Sequence, residues 1–145
     1  MSSFQGYERY KQTKVETADS GQLLLMTYDW AIKHCRLAKE KIDQKDIEGK
    51  ATVIYKAQDA IIELMCALNF KAGTIASSLY RLYEFMNFQL TEANIKNDKS
   101  KIDFVIHGLS ELKEAWVQCI EKTKSENKSS MKLEAGSARN IALVG

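Results

Sequence analysis

Apolar residues recur along this chain at steps of three and four, the period of an amphipathic helix. The clearest case is the stretch from Thr74 to Asp98. There Ile75, Leu79, Leu82, Met86, Leu90 and Ala93 form one stripe at about 100° per residue. The stretch contains no Gly and no Pro, and most of its residues are good helix formers.

Three more stretches repeat the pattern. Leu24, Tyr28, Ala31, Cys35, Ala38 and Ile42 predict a helix from about Ser20 to Asp43. Asp19 is its expected N-cap, with Gln22 three residues on as in a capping box. Ile47, Ala51, Ile54, Gln58, Ile61, Met65 and Leu68 predict the next helix, from about Ile47 to Phe70 and capped by Asp46. Ile102, Val105, Leu109, Leu112, Trp116 and Cys119 predict the last, from about Lys99 to Lys124 and capped by Asp98. Gly73 closes the Lys71-Ala72-Gly73 turn, where it is free to adopt positive φ. Gly108 either weakens the last helix or lets a neighbour approach closely. Connections this short favour antiparallel neighbours. The expected fold is all-α, an antiparallel up-down-up-down four-helix bundle over residues 19–124 with a short N-terminal arm, residues 1–18. Residues 125–145, which begin with the polar run SENKSS, are expected to form a flexible tail.

Two helices carry more apolar surface than a single seam needs. Leu23, Met26, Trp30 and Leu37 form a second row on the first helix, and Val53, Ala57, Ala60 and Leu64 do so on the second. The arm has Phe4, Tyr7 and Tyr10 three residues apart, then the polar KQTKVETA, which suits an extended strap. Two readings are open at this point. Either the arm covers the second rows, or they form a groove for an amphipathic helix from a partner.

Composition narrows the chemistry. A chain of 145 residues is expected to be one domain, and its lack of Pro permits long helices. The net charge of +2 is too small to imply a nucleic-acid partner. No apolar run approaches the roughly 18 residues of a membrane span. The first residues, MSSFQGYERYKQ, lack the apolar core of a signal peptide. Cys35, Cys66 and Cys119 are isolated and odd in number, as expected of reduced thiols with a packing role. A di-iron bundle would need Glu-x-x-His pairs. Ala31 stands three residues before His34 and Phe104 three before His107, so both histidines are expected at the surface or its boundary. There is no C-x-x-C, Walker loop, G-x-G-x-x-G or G-x-S-x-G. No catalytic residue, metal or cofactor is therefore expected. Gln58 on a seam reads as a hydrogen-bonded residue that fixes helix register. Lys33, Arg36, Lys39 and Lys41, diluted by Glu40 and Asp43, read as a solvated face.

Several words of the sequence also match a known family. They are Tyr10-Lys11-Gln12-Thr13-Lys14-Val15-Glu16-Thr17-Ala18, Leu23-Leu24-Leu25-Met26-Thr27-Tyr28-Asp29, Lys56-Ala57-Gln58-Asp59 and Leu79-Tyr80-Arg81-Leu82-Tyr83. Glu92-Ala93-Asn94-Ile95-Lys96-Asn97-Asp98 and Glu114-Ala115-Trp116 follow. In this order, over about residues 7–120, the chain resembles the flagellin export chaperones of the FliS family. The resemblance implies a cytoplasmic bacterial protein without catalytic activity. Such a chaperone binds the disordered C-terminal segment of flagellin in apolar grooves and prevents its premature polymerisation. It accompanies its cargo to the type III export gate. The resemblance also implies an arm near that site, with Tyr10 tied to binding. The expected partner-binding residues are Tyr7, Tyr10, Gln12 and Val15 on the arm, Leu23, Met26 and Trp30 of the second row on the first long helix, and Asn94.

Some positions depart from the family pattern. Asp19-Ser20-Gly21 stands where a Ser-Pro step is common, and Ala72 and Thr74 replace Gly and Glu in the turn. Trp30 stands where a small or polar residue is common. The alternative function is a regulatory or adaptor bundle that uses the same groove for another flagellar partner, such as an anti-sigma factor. The tail segment LEAGSARNIALVG is similar in composition to flagellin C-termini as the family implies them. A disordered tail is its plainer reading, and a mimic of the cargo in cis its sharper one.

Overall fold

A computed structural model describes the backbone of residues 20–144 and the side chains of residues 20–129. Among the described residues there are four α-helices, a 3₁₀ turn and no strand. α1 spans Ser20–Asp43, α2 Ile47–Cys66, α3 Thr74–Lys96 and α4 Lys99–Val144, with the 3₁₀ turn at Phe70–Ala72. The chain divides into one unit up to Lys113 and a second from Glu114.

The first unit is the four-helix bundle. Its neighbours run antiparallel, as paired contacts show. Lys50 on α2 bonds the Asn94 carbonyl on α3, and eight residues later Gln58 bonds the Asn87 carbonyl. Between α1 and α4, Asp43 pairs with Lys99, Lys39 with Asp103 and Asp29 with Lys113. As one number falls, the other rises by the same step. α3 meets α4 through the edge-on rings of Phe85 and Phe104, 5.6 Å apart. Gly108 packs against Met86, whose methyl carbon would lie 2.6 Å from a Cβ there and would have to move.

The core is built on small residues and two tyrosines. Ala31, Ala38, Ala57, Ala60 and Ala93 are fully buried, which lets the helices close on one another. Across the bundle, the hydroxyls of Tyr28 and Tyr83 hydrogen-bond to each other. Each tyrosine thus buries a ring and gives its polar tip a partner.

Local chemistry sets the boundaries. Asp46 accepts from the Gly49 amide as the N-cap of α2. Lys45 before it takes the left-handed conformation, with φ 58°. Asp98 accepts from the Ser100 amide at the start of α4. Asn97 ends α3 in the left-handed region, with φ 54°. Gly73 adopts φ 85°.

The structure differs from the sequence reading at several places. α2 stops at Cys66, and the Asn69 side chain accepts from the Lys71 amide to start the 3₁₀ turn. The second row of α2, Val53, Ala57, Ala60 and Leu64, is core, so α2 buries a face wider than one stripe. Ile47, expected in the seam, is 72% exposed. On α3 the buried stripe is Ala76, Tyr83, Met86, Leu90 and Ala93, and Ile75 is exposed. The stripe shifts by one residue in its first half, because Tyr83 reaches Tyr28 where Leu82 could not. His34, expected at the surface or its boundary, is 4% exposed. His107 is exposed and pairs with Glu111.

In the second unit the backbone carries α4 on to Val144, past the expected end near Lys124. Residues 121–129 are exposed throughout. A polar run marks solvent exposure, and with no Pro it does not break a helix. Trp116 is half-buried and Cys119 exposed, although both were expected in the seam. The expected cap Asp19, and the arm with Phe4, Tyr7, Tyr10, Gln12 and Val15, lie outside the described residues.

Candidate functional site

The seam of α1 and its second row behave differently. Tyr28, Ala31, Cys35 and Ala38 are fully buried. Leu23, Met26, Trp30 and Leu37 are half-buried. They recur at steps of three, four and seven, so they share one side of the helix. From Leu23 to Trp30 this row rises about 10 Å along α1. The second row of α2 is instead taken up by the core.

A cavity of about 380 Å³ opens beside the start of this row. Leu23, Leu24 and Thr27 of α1 line one side, and Glu63, Leu64 and Ala67 the other. The walls are chiefly aliphatic. Thr27 directs its hydroxyl to the Leu23 carbonyl, one turn back, so it adds no free donor to the cavity. Ser20, where the described chain begins, stands at the rim. The volume falls within the roughly 300–1,000 Å³ of ordinary ligand sites.

Trp30 is held from below. Its ring lies against His34, with centroids 4.4 Å apart and planes tilted by 37°. The His34 Nδ1–H donates to the Trp30 carbonyl at 2.8 Å, which fixes the tautomer, because a carbonyl can only accept. Burial lowers the His34 pKa below its ordinary value, and Lys56 and Lys33 act in the same direction against the Trp30 carbonyl. Burial thus favours the neutral form of the imidazole, which packs against the indole. Below it, burial pushes the Cys35 thiol up to about 12, which leaves it a packing group.

Asn94 does not join this row. Its main-chain carbonyl accepts from the Lys50 ammonium at 2.6 Å, beside the Asn97 side chain. Lys50 is fourteen residues from Leu64 on α2, about 21 Å along the axis. Gln58 also has a structural part. Its Nε2 donates to the Asn87 carbonyl and the Thr91 hydroxyl, which ties α2 to α3 as the register reading expects.

Sequence reasoning missed a second apolar surface. Phe88 and Ile95 on α3 are exposed at 56% and 71%, and Phe85 and Phe104 are also exposed where they touch. The available signal was two phenylalanines off the core stripe, Phe85 and Phe88, three residues apart, with Ile95 seven beyond the second. Among the described residues, no group of His, Cys, Asp and Glu is arranged to hold a metal ion. No described helix is long and apolar enough to cross a membrane.

Comparison with known proteins bears on this site. Residues 3–123 match the family model described as flagellar protein FliS. The flagellar secretion chaperone FliS of Bacillus subtilis is 35% identical over 124 residues, covering 86% of this chain and 92% of the relative. That of Salmonella typhimurium is 34% identical over 128 residues, covering 84% and 95%. A crystal structure of a flagellar chaperone from bacteria superposes with a TM-score of 0.66 at 20% identity. That superposition covers 82% of this chain and 98% of the other, and shows a shared fold. A helical bundle with a half-open apolar row on α1, matched over this much of its length, belongs to the FliS family of flagellar secretion chaperones.

Proposed function

We propose that this chain is a flagellin-specific export chaperone of the cytosol. It binds the disordered C-terminal segment of flagellin along the α1 row, keeps the subunit from polymerising and helps deliver it to the flagellar type III export apparatus. The observation that carries this reading is the half-buried row Leu23, Met26 and Trp30 beside an aliphatic cavity of about 380 Å³. An amphipathic segment folding on such a row would bury its own apolar face and cover this one. Tyr7, Tyr10, Gln12 and Val15 of the arm are assigned to the same contact, since Ser20, which follows the arm in sequence, lines the cavity. Catalysis has no part in this function, and neither a cofactor nor nucleic acid is required.

Titration calorimetry with the flagellin C-terminal peptide from the same genome tests the proposal. The expected result is saturable one-to-one binding with a negative heat-capacity change, the mark of apolar burial. Leu23→Ala and Met26→Ala should each weaken it. Absence of binding, or binding unchanged in the double variant at constant fold, would overturn the assignment.

A further inference from the structure

A second cavity, of about 410 Å³, lies at the α1–α2 turn. Leu23 and Ile42 are nineteen residues apart on α1, so this is the other end of the bundle, about 28 Å from the aliphatic cavity. Its walls are Lys41 and Ile42 from α1, Lys45 and Asp46 from the turn, Ile47 and Lys50 from α2, and Asn97 from the end of α3.

Lys50 sets the charge of this cavity. It is 5% exposed, and its ammonium donates to the Asn94 carbonyl and to Asn97 Oδ1, each at 2.6 Å. Both acceptors are neutral, and an ammonium has a third N–H to place. The C-terminal end of α3 offsets part of the charge through its dipole. A buried cation held by neutral oxygens is still poorly compensated. Lys41 and Lys45 add two further ammonium groups to the walls. The lining carboxylate, Asp46, is already committed. One oxygen accepts from the Gly49 amide at 2.9 Å, and the other lies 3.4 Å from the Lys41 ammonium. The cavity thus has three cations to one anion. The same lining includes two aliphatic side chains, Ile42 and the 72% exposed Ile47.

Inorganic phosphate would satisfy the lysines and leave the isoleucines wet. A simple apolar group would do the reverse. An acid borne on a branched aliphatic residue meets both, and capture of chain ends is a recurring mode of peptide recognition. We infer that this cavity binds the C-terminal carboxylate of a peptide whose last residue is aliphatic. The site does not depend on the proposed cargo, and its test uses peptides unrelated to flagellin.

The full chain, labelled with ¹⁵N, is titrated with four probes. They are acetyl-Ser-Ala-Leu as free acid, the same peptide as its C-terminal amide, acetyl-Ser-Asp-Leu amide, and inorganic phosphate. The free acid should shift the amide signals of Lys45, Ile47 and Asn97 to saturation. The other three should bind at least about tenfold more weakly, since each lacks either the terminal carboxylate or the aliphatic body. Lys45→Asn keeps a residue that tolerates the left-handed turn while removing one cation, and it should weaken the acid several-fold with the fold unchanged. Lys50→Met, if it folds, should abolish the saturable shift. Equal binding of acid and amide would overturn the inference. So would phosphate or the side-chain acid matching the terminal acid, or Lys45→Asn having no effect.

Discussion

Protonating His34 would place a charge on a ring that is 4% exposed and packed against Trp30. Burial, then the positive charges of Lys56 and Lys33, hold its folded pKa below the ordinary 6.5. The unfolded chain therefore binds the proton more readily, and stability rises with pH across this window. The His34 contribution is fully present above about pH 6.5 and is lost as pH falls through the folded value. Urea midpoints should therefore drop between about pH 7.5 and 5.5, above the range where carboxylates titrate. His34→Gln should flatten that slope, and an unchanged slope would remove His34 as its source. The paired hydroxyls of Tyr28 and Tyr83 give a second prediction at this scale. Tyr28→Phe and Tyr83→Phe should each cost about 1 kcal/mol, the net value of a typical buried hydrogen bond. Because both variants break the same bond, the double variant should cost less than the sum, as a denaturation cycle would show.

Among the elements, α3 shows how a helix end is held by more than its own residues. Asn97 takes φ 54° and its side chain accepts from the buried Lys50. Asn97→Gly loses the acceptor but keeps the backbone unstrained. Asn97→Ala loses both, so it should be less stable than the glycine variant by about 1 kcal/mol or more, measured by urea unfolding. The reverse order would mean that the left-handed conformation is not what selects Asn here. The same helix shows what periodicity could convey. Its length, its antiparallel neighbours and the lower half of its stripe, Met86, Leu90 and Ala93, follow from a three-four count. The upper half does not, because whether Leu82 or Tyr83 faces inward depends on Tyr28, fifty-five residues earlier. The Glu92-to-Asp98 motif was legible as a word and not as a device. Nothing local links Asn94 and Asn97 to Lys50. α4 marks a different limit, since the polar SENKSS run signals exposure but not the end of the helix.

At the scale of the whole bundle, several apolar surfaces are exposed among the described residues, and the sequence pointed to the one on α1. The α1 row of Leu23, Met26 and Trp30 was visible as a surplus beyond the seam. The α3 and α4 surface of Phe85, Phe88, Ile95 and Phe104 was not, because Phe85 and Phe104 meet only once α3 and α4 pack against each other. The two surfaces differ in what they offer a ligand. The α1 row borders a half-open cavity lined by Leu23, Leu24 and Leu64, so an inserted side chain would be partly shielded from water. The phenylalanines are exposed rings that present edges and faces to solvent, the setting of rim contacts. Binding energy concentrates where water is excluded. Leu23→Ala or Met26→Ala should therefore weaken a flagellin C-terminal peptide by about tenfold or more each, roughly 1.4 kcal/mol. Phe88→Ala should change its affinity by less than about threefold, and stability by no more than about 0.5 kcal/mol, as for most surface substitutions. Calorimetry on the three variants, each with an unchanged circular dichroism spectrum, reads both numbers. If Phe88→Ala proved the most damaging of the set, the cargo would lie on α3 and α4 and the α1 row would belong to the arm alone.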